Sequence, residues 1–235
     1  MSTRYKAAVV DVDSAVAKSS ATEVDLMLPL DNTQDDPVLD LPALFDNDNV
    51  VEIELGIGKG RYLLDAAQSN PAVNYIGVEV AGKYLRLAHG RACRRHLSNV
   101  RFVHGDAKEF VEFFLPTESV HAFHIYFPDP WPKKRHHKRR LVNKGFLNSL
   151  ARTMCDDATF HFSTDHDEYG RWVLRFLLEH QAFDWSGRGP RDWRVRPSGG
   201  IVTRYERKAL TAGRTCVYLQ FRRRQRAQDR LENCS

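Results

Sequence analysis

The 235-residue chain is 42% hydrophobic and 28% charged, enough to bury one substantial core and ordinary for a globular protein. No apolar run approaches the ~18 residues of a membrane span, and the four scattered cysteines (Cys93, Cys155, Cys216, Cys234) form no Cys-x-x-Cys pair, which argues against a disulfide framework or a cysteine zinc site. The net charge of +5 is uneven: residues 1–48 carry three Lys/Arg against ten Asp/Glu, and residues 49–235 carry 32 against 20, so most of the chain suits an anionic partner.

Residues 1–45 are acidic, contain Pro29, Pro37 and Pro42, and show no sustained periodicity. They are expected to form a flexible N-terminal extension, with 26–30 as a docking segment. Ala7 to Val10 is broken at once by Asp11 and Asp13, so no secretory signal is read, and the unpaired cysteines fit a cytoplasmic protein. A single domain is expected over 46–221. It opens with a buried strand at 50–55, a glycine-bearing turn and a helix at 61–69 closed by Asn70-Pro71. A strand at 75–80, an Arg-bearing helix at 83–96, a strand at 100–103 and a short helix at 107–114 follow. Next come a strand at 120–127, a helix at 144–154, a strand at 158–163 and a helix at 166–180. Short apolar strands alternating with helices imply parallel βαβ units and a doubly wound α/β sheet. Two later strands, 203–208 and 215–221, are expected as an antiparallel hairpin at the sheet edge, with 222–235 a basic tail.

Ligands of open α/β sheets bind beyond the carboxyl ends of the strands, near the topological switch point. Four acids fall at such ends: Glu54, Glu79, Asp106 and Asp129. Gly56-x-Gly58-x-Gly60 allows a sharp turn and close backbone approach to a ligand. The dinucleotide fingerprint needs a sixth-place glycine, where Arg61 stands, so the loop favours S-adenosylmethionine (SAM). Glu54 suits the ammonium of a methionine moiety, Glu79 both ribose hydroxyls, and Asp106 the adenine amine. Glu52, by contrast, reads as a solvated or ion-paired group.

The stretch 124–140 is the most unusual. Pro128 and Pro130 bracket Asp129 and hold it on a stiff, non-helical turn at a strand end. Directly after Trp131-Pro132, residues 133–140 contain six Lys/Arg and two His. A rigid carboxylate beside a dense cationic run suggests chemistry on a polyanion. Trp131 either stacks on a base or packs locally. The ten histidines include no convincing metal constellation, and no metal is expected.

The chain from about residue 50 to 221 resembles the tRNA (guanine-N7)-methyltransferase family. The likeness rests on Glu54-Leu-Gly-Ile-Gly-Lys-Gly60, Tyr75-Ile-Gly-Val-Glu79, Gly105-Asp106-Ala, Phe127-Pro-Asp129-Pro-Trp131-Pro-Lys133, Arg135-His-His-Lys-Arg-Arg140, Ser163-Thr-Asp165 and Thr203-Arg-Tyr-Glu206. Pro132 stands where the family often has His, Arg204-Tyr205 replace Lys-Phe, and His166 stands where Trp is common. The resemblance implies a Rossmann-like class I methyltransferase with a mostly parallel seven-stranded sheet, using SAM to methylate guanine N7 in the tRNA variable loop. It marks Asp129 as catalytic and as part of the SAM pocket, with Glu54, Gly56, Gly58, Glu79 and Asp106. It implies substrate contacts by Lys133, Asp165, Thr203, Arg204, Tyr205 and Glu206. Either Asp165 or Glu206 could accept from the guanine N1–H and amine. Arg135, His136, His137, Lys138, Arg139 and Arg140 are expected along the tRNA backbone. The Arg-rich stretches 188–196 and 222–226 are secondary RNA candidates. The alternatives are a SAM enzyme acting on another RNA or a small molecule, and a non-catalytic RNA-binding protein on this fold. Oligomeric state, monomer or homodimer, and any partner subunit stay open.

Overall fold

The computed structural model describes residues 26–28, 37–187, 189, 191–197 and 200–226. Expectations for the rest of 1–45, for Arg188 and for the tail beyond 226 lie outside the described residues. One sheet contains β1 (Met27–Leu28), β2 (Val51–Leu55), β3 (Asn74–Glu79), β4 (Val100–His104), β5 (Val120–Tyr126), β6 (Met154–Thr164), β7 (Phe183–Trp185) and β8 (Val217–Arg223). Its order is β1-β4-β3-β2-β5-β6-β8-β7. The strands β1 to β6 pair in parallel, while β8 runs antiparallel to both β6 and β7. The helices are α1 (Leu41–Phe45), α2 (Arg61–Ser69), α3 (Gly82–Arg94), α4 (Ala107–Glu109, prolonged by a π turn at Phe110–Phe114), α5 (Lys144–Thr153), α6 (Asp167–Glu179) and α7 (Arg204–Thr211). This is the mixed α/β, doubly wound arrangement expected, with β1 an eighth strand beyond the seven. No helix among the described residues is long and apolar enough to cross a membrane.

Central strands rich in β-branched and aromatic residues are buried on both faces, as a parallel sheet covered by helices requires. Ile53, Ile76, Val78, Phe102, Phe123, Ile125 and Phe160 are fully buried, each contributing roughly 1.5–3 kcal/mol of transfer free energy. The helices match with one apolar stripe each: Leu63, Leu64, Ala66 and Ala67 on α2, and Tyr169, Val173 and Leu177 on α6. The chain lays down β2, β3 and β4 in one direction and then returns to place β5 on the other side of β2. The switch point therefore lies between β2 and β5, where Glu54 is in register with His124.

Two expectations are corrected. Within the N-terminal extension, where a docking segment is expected at 26–30, the stretch leading into β2 is also built into the fold as α1. Leu26 is buried and its carbonyl accepts from Phe102 N–H at 2.8 Å; α1 carries Asp40 as N-cap and buries Leu41 and Phe45. Arg101 lies over the Phe45 ring at 4.7 Å and donates to Leu44 O, so the apolar pair and a cation–π contact outweigh the segment's polar composition. The second correction is at 203–208, which starts a helix instead of a strand. Thr203 Oγ1 accepts from Glu206 N–H at 3.1 Å and Glu206 Oε2 accepts from Thr203 N–H at 3.3 Å, a reciprocal capping box. The edge partner of β8 is β7, a strand the sequence reading did not identify.

Gly60 sets how closely the loop after β2 meets the next layer. It has φ +71°, and a Cβ placed there would lie 2.7 Å from Ala88 Cβ. At Gly56, φ +81°, a Cβ would meet nothing within 4 Å. Gly60→Ala is expected to lower unfolding free energy by about 2–4 kcal/mol, from left-handed strain and overpacking together. Gly56→Ala should cost about 1–2 kcal/mol, from strain alone. Urea titration of both variants checks this; equal losses would remove the role of the Ala88 contact.

Candidate active site

The glycine loop and the ends of β2 and β3 are tied together by carboxylates. Glu79 Oε2 accepts from Gly58 N–H at 2.7 Å and Oε1 from Ala81 N–H at 2.9 Å. Each oxygen keeps a lone pair for a further donor. Glu54 lies beneath the loop, 4% exposed, and Oε2 accepts from Leu63 N–H at 3.0 Å at the start of α2. Burial raises its pKa well above the ordinary carboxylate value; the Leu63 hydrogen bond opposes this and the nearby Glu79 charge adds to it. It is a floor group, reaching the crevice from below. Asp106 is exposed at the end of β4 and caps α4, with Oδ1 accepting from Lys108 N–H at 2.7 Å.

Across the switch point, β5 ends in a turn under conformational strain. Phe127 and Trp131, on either side of Pro128-Asp129-Pro130, have φ +53° and +44°, a region bulky L residues avoid. Phe127 N–H donates to Ser163 O at 2.7 Å, and the Phe127 side chain packs against the small cluster of Ala209, Cys216 and Tyr218. Asp129 is exposed at the rim this turn creates. Trp131 packs locally: Arg139 lies over its ring at 4.8 Å and His136 meets it edge-on at 5.9 Å.

The cationic run folds as a 3₁₀ helix, Lys134–Arg139, in which residues three apart share a face. His137 and Arg140 therefore both point at Trp172, with ring and guanidinium at 5.3 and 4.9 Å. Arg140 is fully buried and pairs with Glu168 through both terminal nitrogens. That pairing holds the Glu168 carboxyl below its usual pKa. The expectation that Arg140 contacts RNA is corrected: its charge is spent inside the protein. His137 is half-buried, with its ring against Trp172 and its Nε2 buried. Lys133, Arg135, Lys138 and Arg139 are exposed, and His136 is half-buried.

The α7 motif divides in the same way. Glu206, 3% exposed, accepts from Arg196 Nε at 2.6 Å and Tyr218 OH at 2.8 Å besides its capping bond, so both of its oxygens already have partners within the protein. Thr203, also buried, is its capping partner. Arg204 and Tyr205 are exposed, and the Tyr205 ring lies 3.9 Å from a Cβ built on Gly58, which brings α7 to the glycine loop. Asp165 is half-buried and accepts from Arg214 Nε at 2.8 Å. The secondary RNA candidates are largely committed to the protein. Arg194 pairs with Asp167, Arg222 with Asp157, Arg224 with Asp184, and Arg226 with Asp156 and Glu118.

A polar cavity of about 680 Å³ was not foreseen. It is lined by residues of β2, β5 and β6, Ser163 among them, and also by Arg196, Thr203, Glu206 and Tyr218. His124 bonds Glu52 at 2.9 Å and stacks on His161 at 4.9 Å. Burial, with His124 adding, pushes His161 down to about 3, so it is neutral near pH 7. Alternation within a strand gives no cue to this cluster, because the two histidines meet only across paired strands. No group of three or more His, Cys, Asp or Glu that could hold a metal occurs among the described residues.

Residues 48–219 match the family model described as "Putative methyltransferase". The tRNA (guanine-N(7)-)-methyltransferase of Rhodospirillum rubrum is 37% identical over 205 residues, 87% of this chain and 80% of that one. The enzyme of the same name from Ruegeria sp. is 39% identical over 193 residues, 82% of this chain and 74% of that one. Among solved structures, the 16S rRNA methyltransferase KamB superposes with TM-score 0.58 at 14% identity, covering 80% of this chain and 95% of that one, a likeness of fold. A family-model match over most of the chain and relatives at this identity lead to one conclusion: the chain belongs to the tRNA (guanine-N7)-methyltransferase family.

Proposed function

We propose that the chain methylates N7 of a guanine in the variable loop of tRNA, with SAM as donor and Asp129 as the catalytic carboxylate. The observation that carries this reading is the pairing of β2 with β5, because it sets the exposed carboxylate of Asp129 across one crevice from the glycine loop. The donor set fits SAM. Gly56 leaves its backbone open to solvent, Glu79 retains acceptor capacity for ribose hydroxyls, and Asp106 stands exposed for the adenine amine. When bound, SAM supplies an electrophilic methyl group on a sulfonium.

Guanine N7 offers an in-plane lone pair and carries no proton, so the reaction needs alignment and electrostatics, with no obligatory base. The guanine imidazole ring becomes cationic as N7 is methylated, and Asp129 stabilises that charge. Asp165, the less buried of the two acids considered, accepts from the guanine N1–H and amine. Arg204 and Tyr205 hold the nucleotide's sugar and phosphate near the loop, with Thr203 and Glu206 acting through the cap that orients them. Lys133, Arg135, His136, Lys138 and Arg139 neutralise backbone phosphates.

Asp129→Ala is expected to lower kcat about 10²–10³-fold with SAM affinity changed only a few-fold. Single-turnover assays on tRNA followed by nucleoside mass spectrometry measure this, and wild-type formation of N7-methylguanosine by the variant would refute the role. A second expectation concerns Glu54. Its proton is bound over a pH range reaching above that of an ordinary carboxylate, and only its ionised form attracts the donor's ammonium. Donor affinity should therefore rise as pH increases through the raised value, with proton release on binding. Calorimetry in buffers of different ionisation enthalpy detects that release, which Glu54→Gln should abolish. Identical release in both proteins would separate Glu54 from the donor.

A further inference from the structure

We infer that Arg140 is a positioning residue for methyl transfer, fixing the Asp129 turn to α6, and is not an RNA contact. The inference rests on the role proposed for Asp129. Arg140 Nε donates to Pro130 O, the carbonyl directly after Asp129, at 3.0 Å. Its two terminal nitrogens engage both carboxylate oxygens of Glu168, and the guanidinium lies over the rings of Tyr169, at 4.8 Å, and Trp172, at 4.9 Å. All these partners but Pro130 belong to α6. The walls are themselves fixed: Tyr169 is fully buried, and the Trp172 indole N–H donates to Val142 O at 3.1 Å.

A helix three residues per turn carries Arg140 under the turn while Arg139, one residue earlier, faces out over Trp131. The site uses everything that distinguishes Arg from Lys. Three donors diverge in one plane, one toward the turn and two toward the carboxylate, and two aromatic rings lie against the group. A lysine could satisfy one partner at a time. The turn needs such an anchor because it is flanked by two residues in the left-handed region. Loss of the carbonyl contact would let Asp129 drift, and a displacement near 1 Å can cost about a hundredfold in rate.

Arg140→Lys and Glu168→Gln test this, compared with Lys138→Ala and Asp129→Ala. The Glu168 side chain is 52% exposed, so its substitution is expected to leave the protein folded even if the buried change does not. Tm, SAM affinity, tRNA affinity as a function of salt, and kcat at saturating tRNA are measured. The clamp predicts kcat lower by about tenfold or more in Arg140→Lys and about threefold or more in Glu168→Gln, with tRNA affinity within twofold and its salt slope unchanged. Lys138→Ala should weaken tRNA binding and flatten that slope. Arg140→Lys behaving like Lys138→Ala would overturn the inference, as would wild-type kcat in folded Glu168→Gln. An inactive Asp129→Ala beside a fully active Glu168→Gln would refute the clamp alone. A fully active Asp129→Ala would refute the reading of Asp129 on which the clamp rests.

Discussion

Everything at the rim depends on holding an unfavourable backbone turn in place. Two aromatic residues with positive φ, Phe127 and Trp131, cost about 1–2 kcal/mol each in backbone strain. Left to itself the segment would relax, and Asp129 between them would have no defined position. The turn persists because it is restrained on three sides. Ser163 accepts the Phe127 amide, the Phe127 side chain packs against Ala209, Cys216 and Tyr218, and Arg140 holds the Pro130 carbonyl. The prolines contribute through the unfolded state, since a chain with fixed φ at 128 and 130 has fewer alternatives to lose. β6, α6 and the β8 side of the sheet therefore all bear on one carboxylate.

Charge is sorted by depth around this crevice. Carboxylates lie at or under its rim: Glu54 desolvated on the floor, Glu79 bound to two backbone amides, Asp129 exposed. The exposed cations Lys133, Arg135, Lys138 and Arg139 lie outside. This arrangement suits a reaction that joins a cationic donor to a polyanion. On the proposed reading a sulfonium and an ammonium would be drawn inward, phosphates would stop at the surface, and the positive charge would stay near carboxylates as it moves from sulfur to the purine. A uniformly basic crevice would repel the donor, and a uniformly acidic surface would repel the RNA.

From Val51 to Glu179 the alternation of strands and longer helices was readable because these carry an apolar stripe or a doubly buried core run, which the 3₁₀ helix at Lys134–Arg139 lacks. The glycine loop was readable for a similar local reason, since left-handed φ at Gly56, Gly58 and Gly60 admits few other residues. What stayed hidden depended on a competing local signal or on contacts remote in sequence. Thr203-x-x-Glu206 is a capping box, and that signature outweighs the strand-like look of the residues around it. The α1 segment was concealed by acidic neighbours, although Leu41 and Phe45 supply a buried pair four residues apart. The partners of Glu206, Arg196 and Tyr218, lie 10 and 12 residues away, beyond any local pattern.

The cationic run shows the limit of composition most sharply. Six Lys/Arg in eight residues read as one surface, yet the fold buries one of them, Arg140, and leaves Lys133, Lys134, Arg135, Lys138 and Arg139 exposed. Residues 137 and 140 enter the aromatic wall of α6, while 135, 138 and 139 face outward. The buried guanidinium tolerates desolvation because both terminal nitrogens and Nε find acceptors and two rings lie against it, whereas the exposed cations remain hydrated at the surface. One short stretch thus carries two tasks that differ only in the direction a side chain points. On the proposed reading, placing them on adjacent residues would fix the distance between bound backbone and reacting base, which a longer linker between separate elements would leave variable.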